Sequence, residues 1–324
     1  MSVSRTKRER GGWGSFLDEL REAYRAGGAP AAAGVWSEGK RARRVGLMVR
    51  GIELFYPVGG VLSIAAELDG RIREDGFSSA SRWVLDRWVP GWKAVVPPET
   101  AEVLSSAPAL IYGNHPSNLI TLFLIAATVP RPDLKIVSAA FLKRFLPSYA
   151  PYSLSVVLPA GSLAKDFRRG GLPHALVMAL LRLLEPSIPR EEMKETNRRA
   201  IAMAAQHLRL GGAVVIAPGG GNRRRGEWHP GIGRILHSLS RQPGPVVEYL
   251  VPYHDDTSSD ARIRVSLAQG PLARLRRGFY RRPVTIRYGP PKLRTELEPL
   301  PTEARDIARL LQDRYEDLFR RPRG

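Results

Sequence analysis

The segment from Ala109 to Val129, ALIYGNHPSNLITLFLIAATV, decides the fold class of this chain of 324 residues. It begins with a short apolar run, residues 109–112, which predicts a buried strand. It ends with a longer apolar run, residues 119–129, which has the length of a helix. A polar loop that contains His115 joins the two runs. A strand that leads through a polar loop into a helix is the building unit of an α/β protein.

The same alternation of strand-like and helix-like runs continues along the rest of the chain. Further buried strands are predicted at residues 135–138, 155–158, 213–217, 246–251 and 284–288. Helices are predicted at residues 171–184, 190–210 and 301–320, and a glycine pair follows the second of them as a stop signal. These elements predict an α/β fold with a mainly parallel central sheet flanked by helices.

The chain is predicted to divide into a helical N-terminal appendage, residues 1–95, and an α/β domain with a C-terminal helix, residues 96–324. Within the appendage, a Gly/Ala-rich linker is expected at residues 27–34. An apolar run, residues 46–68, has basic residues on its flanks, and residues 81–92 contain three tryptophans. Basic flanks beside apolar and Trp-rich helices are typical of an interfacial membrane anchor. The alternative is that these helices pack on the α/β domain.

The composition of the chain excludes some classes of site and favours polyanionic partners. The absence of cysteine excludes disulfides and thiolate metal sites. The formal net charge of +19 attracts nucleic acid, anionic lipid headgroups or phosphorylated substrates, and it does not choose among them. Three uncharged runs are too short, or too rich in proline and polar residues, to predict a transmembrane helix: residues 54–66, 103–130 and 145–164.

His115 is the first candidate for chemistry, because the carboxyl end of a strand is where α/β sheets bind ligands. A single histidine is nevertheless more often structural than catalytic. Three other histidines fall in predicted helices and are expected to be surface or packing residues: His174, His207 and His237. The run His254-Asp255-Asp256 is predicted to be a polar turn, and no metal site is expected from its spacing.

Residues 112–121, Tyr-Gly-Asn-His-Pro-Ser-Asn-Leu-Ile-Thr, resemble the first block of the glycerol-3-phosphate and lysophosphatidate acyltransferase family. That block has Asn-His-x-Ser, and then aspartate five or six residues after the histidine. Later segments resemble the family's further blocks in the same order, and they lie at residues 214–223, 228–231, 248–252 and 284–290. The resemblance covers residues 95–295.

The resemblance implies a reaction and a set of residues for it. His115 would be the general base that takes a proton from a glycerolipid hydroxyl. The hydroxyl would then attack the thioester of acyl-CoA or acyl carrier protein, which are co-substrates, so that no other cofactor is expected. Asn114 and Ser117 would shape the loop or donate hydrogen bonds near the developing oxyanion.

The chain departs from the family pattern at the acid of the first block. Ile120 and Thr121 stand five and six residues after His115, and there is no carboxylate between Glu102 and Asp133. Thr121 aligns with the family aspartate and is therefore the second candidate catalytic residue, although it has no charge with which to stabilise an imidazolium. Glu227, in a later loop, is the carboxylate that the sequence offers as a substitute partner for His115.

A second departure lies in the block at residues 214–223, where glycine replaces the family's glutamate. This glycine-rich, basic loop is predicted to bind an anionic group of the substrate, because glycines let backbone amides approach a phosphate and arginines neutralise it. The predicted substrate-binding residues are Gly219, Gly220, Gly221, Asn222, Arg223 and Arg224. The alternative is a flexible, solvated loop. The family's middle block, Gly-x-x-Phe-x-x-Arg, is not recognisable.

Three functions remain open at this point. The first is a lipid O-acyltransferase that binds peripherally to the cytoplasmic face of the membrane, with anionic membrane lipids and acyl-CoA or acyl carrier protein as partners. The second is a catalytically impaired relative that binds lipid or acyl donor without transfer, as the missing acid suggests. The third is a nucleic-acid-binding protein. Only the charge suggests it, because aromatic residues do not alternate with the basic clusters.

Overall fold

A computed structural model describes residues 12–43, 45–55, 58–89, 91–115, 119–157, 188–219, 227–242, 248–256 and 284–320. These residues form an eight-stranded sheet with helices on both faces, so the predicted α/β fold with a mainly parallel central sheet is confirmed. Every pair of neighbouring strands is parallel except the two pairs that strand β6 makes with β7 and β8.

The strands are β1 Lys93–Val95, β2 Ala109–Gly113, β3 Lys135–Ala139, β4 Ser153–Val156, β5 Ala213–Ile216, β6 Tyr249–Asp255, β7 Thr285–Tyr288 and β8 Lys292–Leu293. Their order in the sheet is β1-β7-β6-β2-β5-β3-β4, and β8 pairs with β6. The helices are α1 Trp13–Arg41, α2 Gly46–Phe55, α3 Val58–Trp88, α4 Pro98–Ser106, α5 Leu119–Thr128, α6 Phe141–Phe145, α7 Arg190–Arg209, α8 Gly231–Arg241 and α9 Ala304–Arg320. Two 3-10 helices span Pro147–Tyr152 and Arg294–Leu297.

Most of the predicted strands and helices occur where the apolar runs place them. The strand predicted at residues 246–251 continues to Asp255, however, so the predicted polar turn is wrong for His254 and Asp255. Pairing with β7 extends the strand, because the antiparallel partner satisfies the backbone of these polar residues. The helix predicted at residues 171–184 lies outside the described residues.

Alternation of side chains along the strands divides the core between the two faces of the sheet. In β2, Ala109 and Ile111 point to one face, and Leu110 and Tyr112 point to the other. The first face is covered by apolar side chains of α1, α3 and α5. The second face is covered by those of α7, α8 and α9. The sheet is therefore the middle layer of three.

The N-terminal helices pack closely on the first layer. Phe77 of α3 is buried against Tyr149, with a distance of 4.9 Å between ring centroids, and against Phe123 of α5. The carboxylate of Asp69 accepts hydrogen bonds from the backbone N–H and the hydroxyl of Ser148. Strand β1 joins the sheet beside β7. The division of the chain at residue 95 stays a prediction.

The linker predicted at residues 27–34 is wrong, because these residues belong to α1 and only Gly27 and Gly28 depart from helical geometry. Gly28 has φ +64°, and a Cβ atom there would lie 2.1 Å from the carbonyl oxygen of Arg144. Glycine is needed at this bend because the α1 backbone approaches the end of α6. Tertiary packing thus keeps helical a segment whose composition suggests a linker.

Among the described residues, no single helix is long and apolar enough to cross a bilayer. The helical segments at residues 46–53 and 58–87 satisfy the length and composition test only as a pair, and they are bent by 82° at the break between them.

Candidate functional site

Three parallel strands in the middle of the sheet bring their carboxyl ends together. In the pairing of β2 with its two neighbours, Tyr112 lies beside Ile216 of β5, and Gly113 lies beside Tyr253 of β6. The residues that follow these pairs are therefore neighbours at one edge of the sheet. This edge places the Asn-His segment after β2 next to the start of the glycine-rich loop after β5 and next to the end of β6.

The connections that leave β2 and β5 run to opposite faces of the sheet. After β2 the chain enters α5, which covers the first face, and after β5 it reaches α8, which covers the second face. Adjacent parallel strands whose connections diverge in this way leave a crevice between their carboxyl ends, and α/β proteins bind ligands there. The Asn-His segment and the start of the glycine-rich loop thus meet where α/β sheets of this topology bind ligands.

His115 follows β2 at this crevice and is half-buried. Its imidazole has no hydrogen-bond partner among the described residues. Burial lowers the pKa of His115 below its ordinary value of 6.5, because a buried site disfavours the charged form of the ring. The imidazole is therefore neutral at neutral pH and able to accept a proton.

Asn114 fixes the loop that contains His115 against the end of β6. Its side-chain NH₂ donates to the carbonyl oxygen of Asp255 at 2.8 Å, and its side-chain oxygen accepts from the N–H of Asp255 at 2.8 Å. The amide side chain thus pairs with the N–H and the C=O of one residue, as a residue of a neighbouring strand would. The predicted contact of Asn114 with substrate stays a prediction.

Thr121, the residue that aligns with the family aspartate, is buried in the first turns of α5. Its hydroxyl donates to Oδ2 of Asp255 at 2.5 Å. Only 2% of Thr121 and 2% of Asp255 are exposed. A carboxylate therefore lies where the local motif has none, and it comes from a strand 134 residues further along the chain.

The sequence analysis missed Asp255, because the run at residues 254–256 was assigned to a turn. The signal that would have identified it is the register of the sheet: if β6 is extended beyond residue 251 alongside β2, Asp255 falls beside the Asn-His loop. Its neighbour His254 points to the opposite face, where Nδ1 lies 2.7 Å from the hydroxyl of Tyr315. Since the two side chains diverge, His254 and Asp255 do not share one ion.

Glu227 is not the partner of His115. Its exposed carboxylate forms an ion pair at 3.0 Å with Arg309 of α9, which belongs to the second helical layer. The suggestion that Glu227 replaces the family's acid is therefore wrong. Glu227 instead pairs with an arginine on α9, a contact that spacing in the sequence does not predict.

The glycine-rich loop is described only at its two ends. Gly219 lies beside the indole of Trp228, and the N–H of His229 donates to the carbonyl of Pro218 at 3.0 Å, which ties the ends together. The Trp228 ring in turn packs on Tyr112 of β2, with centroids 5.9 Å apart. The remaining predicted binding residues lie outside the described residues, and they are Ser117, Gly220, Gly221, Asn222, Arg223 and Arg224.

Of the other histidines, His207 lies on α7, where Nε2 is 2.5 Å from the carbonyl oxygen of Asp133, and His237 lies half-buried on α8. His174 falls outside the described residues. Among the described residues there is no group of three potential metal ligands.

The arrangement suits one kind of chemistry. A neutral imidazole at the carboxyl end of a central strand is able to take a proton from a hydroxyl group. The chain matches no protein-family model, no curated protein and no solved structure.

Proposed function

We propose that this protein is an O-acyltransferase that moves an acyl group from a thioester donor to a lipid hydroxyl at a membrane surface. The observation that supports this most directly is the position of His115. It is a neutral imidazole without a hydrogen-bond partner in the described chain, at the carboxyl end of a central strand. It also stands in the Asn-His-x-Ser segment that resembles the acyltransferase family.

The proposed reaction uses His115 as general base. The imidazole takes the proton of the acceptor hydroxyl, and the hydroxyl oxygen attacks the thioester carbonyl to form a tetrahedral oxyanion. When this intermediate collapses, the carbon–sulfur bond breaks and the proton passes from the imidazolium to the departing thiolate. The donor is acyl-CoA or acyl carrier protein, and an ester and a free thiol are the products.

The glycine-rich loop is proposed to bind an anionic group of the donor or the acceptor. Gly219 begins this loop at the crevice next to the His115 segment. Residues 223–225 are three consecutive arginines, which are suited to a phosphate group. An anion bound at Gly219, at the start of the loop, would be close to the edge of the sheet at which His115 is proposed to act.

The N-terminal helices are proposed to hold the protein on the cytoplasmic face of an anionic membrane. Helix α2 exposes two large apolar side chains, Leu47 at 77% and Met48 at 50%. Exposed arginines flank them, at Arg43 and Arg50. Apolar side chains that project between basic ones match an interface in which acyl chains lie below anionic headgroups. Helices α1 and α3 pack on the rest of the protein, so α2 is the part proposed to contact lipid.

A second candidate function is a binding protein without turnover. The observation that favours it is the threonine at the position of the family aspartate. In a serine protease triad, loss of the carboxylate lowers turnover about 10⁴-fold. Such a protein would hold lipid or acyl donor at the same crevice.

The deciding experiment is acyl transfer by the purified full-length protein in vesicles, with labelled acyl-CoA and acyl carrier protein as donors. Glycerol-3-phosphate, lysophosphatidate, monoacylglycerol and diacylglycerol serve as acceptors. We expect transfer by the wild type and a loss of about 10²–10⁴-fold in His115→Ala, the usual contribution of a general base. The control is His237→Ala, on the distant helix α8, which should retain the wild-type rate.

The other outcomes separate the alternatives. Binding of donor or lipid without transfer would favour the non-catalytic relative. Transfer that survives in His115→Ala would contradict the assignment of the base. Sedimentation with anionic vesicles, but not with zwitterionic ones, is expected if α2 and its arginines contact the membrane, and equal sedimentation with both would contradict that part of the proposal.

A further inference from the structure

A buried carboxylate lies beside the loop of His115, and the proposed reaction as described above leaves it without a role. Asp255 is the last residue of β6 and is 2% exposed. Burial of an ionisable carboxyl costs folding free energy that an apolar residue would not cost. Buried carboxyls in the crevice of an α/β sheet are therefore candidates for functional residues.

The backbone of Asp255 is fixed relative to His115. The side chain of Asn114 makes two hydrogen bonds to the backbone of Asp255: it accepts one from the N–H and donates one to the carbonyl oxygen. The pairing of Gly113 with Tyr253 continues into this contact, so the residue after Asn114 passes beside the end of β6. The loop that contains His115 is thus held against the last residue of β6.

The side chain of Asp255 is fixed by the helix that follows the histidine loop. The hydroxyl of Thr121 donates to Oδ2 at 2.5 Å. Thr121 stands six residues after His115, where the resembled family places its aspartate. Position 121 therefore binds a carboxylate instead of supplying one. The carboxylate group occupies the same turn of α5 in either case.

We propose that Asp255 is the positioning residue for His115 and replaces the aspartate that its motif lacks. This inference rests on the proposed function. Asp255 acts when the imidazole takes the acceptor's proton: its negative charge stabilises the imidazolium across a site of low dielectric constant. In this role the carboxylate takes no proton itself. The resting imidazole is neutral and needs no counter-charge, which agrees with its lack of a partner in the described chain.

Two buried tyrosines, Tyr253 and Tyr288, lie near Asp255. The pKa values of both tyrosines are raised, mainly by burial. Both tyrosines therefore stay neutral. The hydroxyl of Tyr288 is hydrogen-bonded to Thr128 of α5 at 2.6 Å, which keeps this ring packed beside the helix.

The first test is Asp255→Asn, which keeps the shape of the side chain and removes its charge. We expect kcat to fall about 10²–10⁴-fold with little change in KM, because the charge acts on the protonated imidazole and not on bound substrate. The pKa of His115, followed by NMR of the labelled imidazole, should fall further than in the wild type. Asp256→Asn is the matched control. It alters the adjacent, exposed carboxylate, and it should change neither quantity.

The second test moves the carboxylate back to the motif. In Thr121→Asp combined with Asp255→Asn, the charge stands on α5 at the aligned position, and we expect at least a tenfold recovery of kcat over Asp255→Asn alone. This double variant also tests the proposal if Asp255→Asn fails to fold, since it retains one carboxylate, at position 121 of α5.

Two results would overturn the proposal: wild-type transfer by Asp255→Asn, or a His115 pKa that does not change in it. If the wild type transfers no acyl group to any acceptor, the proposed function fails. The NMR titration still decides whether Asp255 acts on His115, so the two failures are distinguishable.

Discussion

Two buried carboxylates lie at the two ends of β6, and their surroundings differ. Glu248, just before the strand, is 4% exposed and forms an ion pair with Arg294, whose Nε lies 3.1 Å from Oε2. Arg294 also pairs with Glu298 at 2.5 Å. At the other end Asp255 is 2% exposed, and the neutral hydroxyl of Thr121 donates a hydrogen bond to it.

The difference between the partners of these two carboxylates indicates a different role for each end of the strand. A cation held next to Glu248 neutralises it permanently, so this end is a structural clamp between β6 and the segment after β8. A hydroxyl of the helix that follows the histidine loop donates to Asp255 and holds its carboxylate beside that loop. The amino end of the strand thus contributes stability, and the carboxyl end is the one proposed to contribute to the site.

The largest expected effect on stability comes from breaking the clamp. Arg294→Ala leaves Glu248 buried and unpaired, which should lower the free energy of unfolding by about 3–5 kcal/mol. Chemical denaturation followed by circular dichroism measures it. Acyl transfer per folded molecule should be unchanged, because the seven residues of β6 separate the clamp from the site by about 20 Å.

The control for this prediction replaces both charges with methionine, at Arg294 and Glu248. It should be far less destabilising than Arg294→Ala, because it leaves no buried charge without a partner. If Arg294→Ala reduced transfer per folded molecule as strongly as it reduced stability, the two ends of β6 would not differ in role.

A smaller effect is expected at the other end from Thr121→Val, which removes the hydroxyl and keeps the volume. Loss of the donor to a buried carboxylate should cost about 1–3 kcal/mol of unfolding free energy. It should also lower kcat, because Asp255 is then free to turn away from the loop. Thr121→Ser, which retains the hydroxyl, should behave like the wild type in both measurements. A valine variant that matched the wild type would show that the short contact at 2.5 Å is dispensable.

The smallest expected effect is on the pH dependence of the unfolding free energy. The pKa of His115 is below 6.5 in the folded protein because the ring is buried. As the pH falls through 6.5, the unfolded chain binds a proton at this residue before the folded protein does, so stability decreases until the folded pKa is reached. Unfolding free energies measured from pH 8 to pH 4 should contain this component in the wild type and lack it in His115→Gln.

The lowered pKa of His115 also predicts where kcat/KM decreases on the acid side of its pH profile. Since the base must be neutral, kcat/KM should fall only below pH 6.5. An acid limb that lies above this value would contradict the burial of a neutral imidazole, and with it the contrast between the two ends of the strand.

The layers of the fold were predictable because local patterns determine them. Strands β2 and β5 are continuous apolar runs, as expected of strands buried on both faces, and α5 follows β2 directly. Strand β1 was not predicted, because its three residues are exposed and only pairing with β7 makes them a strand. The position of His115 at the edge of the sheet followed from the strand-loop-helix pattern alone.

The carboxylate proposed to support His115 was not predictable by the same means. Its motif suggested a carboxylate within six residues, and sequence proximity suggested Glu227, which pairs instead with Arg309. Asp255 becomes a neighbour only through the pairing of β2 with β6. The register of these two strands depends on contacts between distant segments of the chain. Hydrophobic periodicity within each segment does not specify those contacts.

The contact between Thr121 and Asp255 also has a consequence for the time at which the protein becomes active. The two residues are 134 positions apart, so at 5–20 residues per second a ribosome needs roughly 7–27 s to make the segment between them. A nascent chain that already contains the histidine loop lacks its carboxylate throughout this interval. The site is complete only after β6 has entered the sheet between β2 and β7. Incomplete chains that end before this strand would therefore carry the histidine motif without the acid proposed to support it.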